Sequence, residues 1–329
     1  MKRFNTTAVC VPSKHYMVDL TDRINAIKEL VDAGMYFTIN RARQYGKTTT
    51  LNALKQVLKN EYVVVGLSFE ALTNANFSDE HSFVKAFCRL FKKNPNFYRS
   101  IPEQIRLQMD DFFDCKEDKA SMDELFITLN EWCAISELPI VLLIDEVDSA
   151  TNNQIFIDFL GLLRDGYISR DSDEIPTFHS VILAGVTDVK HLKSKIRPEE
   201  NGKENSPWNI SSDFNIDMSL SESGIKGMLD EYEADHCTGM NTAYMATLIW
   251  EQTSGYPFLV SRICQLIDEQ VCQNMQSSEA WTKKGFLAAI RLILSEKNTL
   301  FQTLTKNLKE HPQLKAAIRS ILMDGRSLT

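Results

Sequence analysis

The segment Arg41-Ala42-Arg43-Gln44-Tyr45-Gly46-Lys47-Thr48-Thr49 constrains this chain more than any other. An apolar run from Met35 to Ile39 precedes it, and apolar residues at helical spacing (Leu51, Leu54, Val57, Leu58) follow. The pattern reads strand, tight loop, helix, with Gly-Lys-Thr at the joint. A consensus phosphate loop is Gly, four residues, then Gly-Lys-Ser/Thr, and each part has a physical task. Backbone N–H groups from Arg43, Gln44, Tyr45, Gly46, Lys47, Thr48 and Thr49 would point at phosphates, where the helix dipole also favours negative charge. Lys47 would neutralise the β and γ phosphates, and the Thr48 hydroxyl would hold Mg²⁺. One position departs from the consensus: Arg41 stands where the first glycine is expected. The loop there must follow a path open to an L-residue, or Arg41 must face outward.

Gly-Lys-Thr alone is weak, because a solvated lysine explains it equally well. Residues 139–148 strengthen it: Pro-Ile-Val-Leu-Leu-Ile-Asp-Glu-Val-Asp is an aliphatic run ending in carboxylates. Such a run fits a strand buried on both faces of a parallel sheet. Its acids would then lie at the carboxyl edge, beside the phosphate loop. Asp145 would hold Mg²⁺, and Glu146 would activate an attacking water. The plainer alternative is a buried strand whose acids cap the next helix.

With both motifs in hand, the chain resembles the AAA-like ATPases of bacteria, a P-loop group near the origin-recognition and STAND ATPases. In that family the loop is similar to Arg-x-Arg-Gln-x-Gly-Lys-Thr, so the resemblance makes Arg41 a family trait. The likeness extends from about Phe4 to at least Asp268. It takes in the segments 182–188 (Ile-Leu-Ala-Gly-Val-Thr-Asp), 206–210 (Ser-Pro-Trp-Asn-Ile) and 254–260 (Ser-Gly-Tyr-Pro-Phe-Leu-Val). The last resembles the Gly-x-Pro motif of the helical lid, which implies that Pro257 meets the nucleotide. The expected fold class is α/β, a P-loop core with a parallel sheet of the additional-strand class. An all-helical lid and the start of a winged helix would follow. In related ATPases the segment before the first strand contacts adenine, a role open to Tyr16 or its neighbours; the plainer role for Tyr16 is packing.

Composition bounds the rest. With 329 residues, 43% apolar and 24% charged, the chain suits two or three globular domains. No apolar run reaches eighteen residues and no secretory signal is visible, so a cytoplasmic protein without membrane contact is expected. A net charge of −8 counts against wholesale nucleic-acid binding. The seven cysteines are scattered and never form Cys-x-x-Cys, the pattern of buried thiols in a reducing compartment.

Taken in order, residues 61–69 read as a strand, 79–91 as a helix, 94–102 as a turn and 122–135 as a helix. Residues 154–164 read as a helix ending in arginines, of which Arg164 and Arg170 could act as fingers in an oligomer or, the commoner outcome, stay lone surface charges. Residues 179–188 form a strand expected between the loop strand and the Asp145 strand. Thr187 or Asp188 at its end would sense the γ-phosphate, or Asp188 would cap a helix. Residues 190–205, with Arg197, read as a surface loop. Phe214 to Met218 suggests a fifth strand. Ser219 to Glu222 resembles a capping box, after which only helices follow. Pro257 fits a helix's first turn, and Gly255 permits a sharp bend. Arg262 could sense phosphate or make a surface salt bridge. From Glu296 the chain carries six Lys/Arg against three Asp/Glu, a bias that suits a winged helix cut short at 325–329.

The domains expected are a core over 1–218, a lid over 219–278 and C-terminal helices over 279–329. The expected function is ATP binding with Mg²⁺-dependent hydrolysis, driving a switch between core and lid. The competing class is a nucleotide-gated module that hydrolyses slowly or not at all. ATP and ADP are the expected ligands, with a homo-oligomer, a protein partner or DNA left open, DNA being disfavoured by the charge.

Overall fold

Alternation along the strands decides the architecture. The computed structural model describes residues 2–114, 120–189, 208–296 and 299–324. Its first seven helices and four strands run α1 (Thr21–Asp32), β1 (Tyr36–Asn40), α2 (Lys47–Leu58), β2 (Val63–Ser68), α3 (Glu80–Lys92), α4 (Pro95–Ser100), α5 (Glu103–Asp114), α6 (Met122–Ile135), β3 (Ile140–Asp145), α7 (Gln154–Ser172) and β4 (Ser180–Gly185). Every residue of β3 and β4 is buried. Successive residues feed opposite layers. Leu142 and Ile144 join Tyr36, Leu67 and Leu183 in a cluster with Phe83 and Phe87 of α3, Leu129 of α6 and Phe159 of α7. Val141 and Leu143 join Phe37, Ile39 and Ile182 in a second cluster with Ile27 of α1 and Leu54 of α2. Each such side chain contributes roughly 1.5–3 kcal/mol on burial, which is why a continuous aliphatic run is stable only with helices on both faces.

The strands are all parallel and ordered β1-β4-β3-β2. Strand β4 therefore lies between the loop strand and the Asp145 strand, as expected, but it ends at Gly185, so Thr187 and Asp188 follow the strand and do not end it. A parallel ladder also aligns the strands' carboxyl ends: Asn40 pairs with Gly185, Ile144 with Leu183, and Ser68 with Asp145.

Several expectations need correction. Phe214 to Met218 forms no strand; beyond β1 there is one parallel bridge, Phe37 to Ser212, with Ser212 N–H donating to the Tyr36 carbonyl at 2.8 Å. The Ile216 carbonyl is taken by the Arg41 guanidinium at 3.1 Å instead of a ladder partner. Residues 95–100 are a short helix begun by Asn94, whose side chain accepts from Phe97 N–H, and α5 has no counterpart in the sequence reading. Helix α7 runs on through Arg164 and Arg170 to Ser172. The loop expected over 190–205, including Arg197, lies outside the described residues, as do Cys115 and the segment 325–329.

Two compact units are present: Asp19–Met218, which holds the sheet, and a helical unit formed by Met1–Val18 together with Ser219–Thr329. The helical unit contains helices Glu222–His236, Thr242–Thr253, Pro257–Leu266, Lys283–Ser295, Thr299–Glu310 and Pro312–Asp324. The cap of the first is Ser221, which accepts from Gly224 N–H, in place of the Ser219 box. The first eighteen residues, assigned by sequence to the core, belong here because their aromatics are buried here. Phe4 is 2% exposed and Tyr16 1%. Their ring centroids lie 5.2 Å apart, and both sit within 5.2 Å of Tyr232. Tyr16 also donates to Asp235 at 2.7 Å. Its role is packing and anchoring, and the adenine-reading alternative is set aside.

Gly255 is needed for close approach. Its φ is +70°, and a Cβ there would meet the Leu220 carbonyl oxygen at 2.1 Å. The Leu220 N–H donates to the Gly255 carbonyl at 2.8 Å. Among the described residues no helix is long and apolar enough to cross a membrane. The buried Cys88 thiol is pushed up to about 12 by desolvation, and so is that of the half-buried Cys133, as expected of packing cysteines.

The N-terminal segment gives a direct test. Phe4→Ala should cost about 3–5 kcal/mol in equilibrium urea unfolding, the usual loss for a buried phenylalanine. A loss under about 1 kcal/mol would show that the segment is not part of the helical unit's core.

Candidate functional site

The site forms where β1, β4 and β3 end. Gly46 caps α2 in the left-handed conformation, φ +79°, and Lys47 is the first helical residue. Gln44 also has positive φ, +58°. Two left-handed residues so close together curl the loop back toward the helix start, where unsatisfied N–H groups gather. Arg41 needs no such conformation. Its N–H donates to the Gly185 carbonyl at 3.0 Å, continuing the β1–β4 ladder. Its guanidinium bonds the carbonyls of Asn40 and Ile216 and lies 5.5 Å over the Phe214 ring. The first of the two alternatives for Arg41 holds: the backbone path suits an L-residue, and the side chain, instead of facing outward, is spent on the segment beside β1.

Lys47 is buried, 6% exposed, and its Nζ donates to the loop carbonyls of Arg41 at 2.9 Å and Ala42 at 3.2 Å. Desolvation lowers its pKa, opposed by the carboxylates of Glu146, Asp148 and Asp145. The Thr48 hydroxyl donates to Asp145 Oδ2 at 2.7 Å. That bond joins two motifs 97 residues apart across the intervening strand. The other oxygen of Asp145 accepts the N–H of Glu146 at 2.9 Å.

Glu146 has φ +55°, rare for a residue with a side chain. Such a conformation costs roughly 1–3 kcal/mol and collects at functional sites. Nothing in the sequence announces it. Its carboxyl is half-buried and its pKa is raised, by desolvation first and then by Asp145, with Lys47 pulling the other way. After it, Val147–Ser149 form a single turn of 3₁₀ helix. Asp148 accepts from Val186 N–H and Thr187 N–H, each at 2.7 Å. Ser149 donates to the Phe69 and Glu146 carbonyls. Sequence reasoning missed the role of Asp148; its signal was a third acid three residues after Asp145.

The structure therefore brings together the ends carrying Arg43 to Thr49, Asp145, Glu146, Thr187 and Asp188. Arg43 and Gln44 are exposed, and Tyr45 packs on the second core cluster. Pro257 belongs to the helical unit, where it opens its helix. Arg262 is committed to Glu296 and Gln265, the salt-bridge role. Arg170 bonds the carbonyls of Gly34 and His179, at the edge where β1 and β4 begin, and stacks over Tyr167. That commits Arg170 to the opposite edge from the loop. Arg164 is half-buried within α7. Trp208 donates to the Thr38 hydroxyl at 3.0 Å and packs on Tyr36 of β1.

A parallel sheet with a strand inserted between the loop strand and the acid-bearing strand defines a P-loop ATPase fold. The family comparison agrees. A family described as an AAA-like domain matches residues 4–328, and the chain belongs to that family. No curated protein matches. Among solved structures, the Cdc6p protein of Pyrobaculum aerophilum is similar at 14% identity, TM-score 0.48, over 83% of this chain and 66% of that one. The ORC1 protein of Aeropyrum pernix, solved in complex with DNA, gives 10% identity, TM-score 0.43, and the same 66% of its length. The ORC2 protein of Aeropyrum pernix, solved as ADPNP-ADP complexes, gives 12%, TM-score 0.46, over 88% of this chain and 71% of that one. The chain thus spans just under two thirds of the first two.

The raised Glu146 pKa yields a sign that can be checked. The folded chain binds this proton more tightly than the unfolded chain, whose carboxyl has the ordinary value of 4.5. Stability is therefore lost as pH rises from that value through the folded pKa, and the penalty persists at neutral pH. Glu146→Gln should be more stable than the parent at pH 7, with the gain shrinking as pH falls through the raised folded pKa toward 4.5. Urea unfolding at a series of pH values measures it, and parallel curves for the two proteins would refute it.

Proposed function

We propose that this chain binds ATP with Mg²⁺ at the carboxyl edge of its sheet and hydrolyses it. The observation that carries the reading is the 2.7 Å bond between Thr48 and Asp145. A hydroxyl and a carboxylate at that separation are the hard oxygen donors that Mg²⁺ takes from a protein when phosphates and water complete its shell. Among the described residues no group of three His, Cys, Asp or Glu is arranged to hold a metal ion by itself. That donor set fits an ion that depends on its nucleotide.

Charge supports the same reading. Glu146 feels Asp145, Asp148 and Glu70 as like charges, and Lys47 as the opposing one. A nucleotide's phosphates entering so acidic a place need cations to accompany them. Lys47, at the head of α2, would exchange its two loop carbonyls for phosphate oxygens, and loop amides from Arg43 to Thr49 would bind the rest. Bound Mg²⁺ would neutralise charge developing on the transferred phosphoryl group. Glu146 would orient the attacking water and take its proton, a task suited by a carboxylate whose pKa is already raised. Thr187 or Asp188 would report the γ-phosphate from just beyond β4. We assign the output to a conformational switch involving the helical unit and Pro257, as the family resemblance implies.

Mg·ATP at about 100 times its Kd should stabilise the chain by roughly 2.7 kcal/mol, and Lys47→Ala should abolish the shift. Glu146→Gln should keep the shift and stop steady phosphate release. Absence of any shift in the parent at saturating ATP would end this reading. A shift without release would instead favour a nucleotide-gated module.

A further inference from the structure

Both oxygens of the Asp148 carboxylate are engaged by the segment just beyond β4. One oxygen accepts from Val186 N–H and the other from Thr187 N–H, both at 2.7 Å. Consecutive backbone amides facing one way form a concavity that binds anions. Here an acid of the same chain fills it, and that acid stands two residues after Glu146. Bonds from neutral amides to a carboxylate are stronger and shorter than neutral pairs, so the two segments are held at a fixed distance.

The neighbourhood is shaped for this contact. A Cβ on Gly185 would come within 3.1 and 3.2 Å of the two Asp148 oxygens and 2.9 Å of a Val147 methyl. Val147 is fully buried. On the other side Ser149 ties the same turn to the Phe69 carbonyl just beyond β2. The turn 146–149 is thus pinned to the ends of β2 and β4, while Asp145 is pinned to α2 through Thr48. The residues proposed to activate water and to sense the γ-phosphate are separated by a single hydrogen-bonded bridge.

We propose that Asp148 is a positioning residue, locking the end of β4 to the Glu146 turn so that Thr187 and Glu146 meet the terminal phosphate of a nucleoside triphosphate at one fixed spacing. This rests on the reading of the site as an ATP site. It assigns discrimination between tri- and diphosphate to a contact that touches neither nucleotide. Asparagine keeps one acceptor but turns an NH₂ toward a backbone N–H, so Asp148→Asn replaces one of the two bonds with two facing donors. Gly185→Ala disturbs the same contact from the β4 side.

The test uses the full chain and calorimetric titration with Mg·ADPNP and Mg·ADP, alongside steady-state phosphate release. For Asp148→Asn the preference for ADPNP over ADP should fall at least threefold, the Kd for ADP should stay within twofold, and kcat should fall at least tenfold. Gly185→Ala should change in the same direction. Asp148→Asn combined with Thr187→Ala should be no worse than Thr187→Ala alone, because the two act as one unit. Parent-like preference and kcat in a folded Asp148→Asn would overturn the proposal, as would losses that multiply in the double variant. If Asp148→Asn does not fold, Gly185→Ala decides by the same readouts. If the parent binds neither nucleotide, the ATP reading itself fails and the proposal with it. If the parent binds both but releases no phosphate, the ADPNP-to-ADP ratio alone is decisive.

Discussion

The hydrogen bond between Thr48 and Asp145 requires the loop strand and the acid-bearing strand to end at the same edge, here with a third strand between them. That requirement reaches back into the whole sheet. The strands must be parallel, because an antiparallel neighbour would carry its end to the far edge. They must be buried on both faces, because crossover helices cover both sides. The aliphatic run 140–144 and the alternating assignment of its side chains to two core clusters are the cost and the means of placing one carboxylate beside one hydroxyl.

Around that bond the chain concentrates negative charge and one unfavourable backbone angle. Asp145, Glu146 and Asp148 lie within four residues, and the middle one is left-handed. Each acid is spoken for differently: Asp145 by Thr48 and a backbone N–H, Asp148 by two amides just beyond β4, and Glu146 by electrostatics alone among the bonds described. The acid with the fewest anchors is the one whose proton affinity is raised. Local strain and raised pKa fall on the same residue, a coincidence that marks functional-site candidates.

The sequence made the loop, the acid-bearing strand and the central place of β4 legible, because each rests on local pattern: Gly-Lys-Thr after an apolar run, five aliphatics before Asp-Glu, a third apolar run ending in Thr-Asp. What depended on distant partners was hidden. The fifth strand failed because Arg41, 175 residues away in sequence, claims the Ile216 carbonyl. The membership of Met1–Val18 was misjudged because Phe4 and Tyr16 find their aromatic neighbours beyond residue 230. Arg170 read as a free cation at a helix end, yet the helix continues and folds it onto the start of β1 and β4. The functions of Asp148 and of the left-handed Glu146 need coordinates in space, since neither follows from residue type.

The division of the helical unit between the two ends of the chain bears on how the protein is made. Residues 1–18 are synthesised well before their neighbours Tyr232 and Trp281. The sheet unit, contiguous in sequence, can complete itself while those aromatic side chains wait exposed. Synthesis at roughly 5–20 residues per second makes that wait some tens of seconds. Over that interval Phe4 and Tyr16 are apolar surface without a partner, the kind of segment that chaperones recognise and that aggregation exploits.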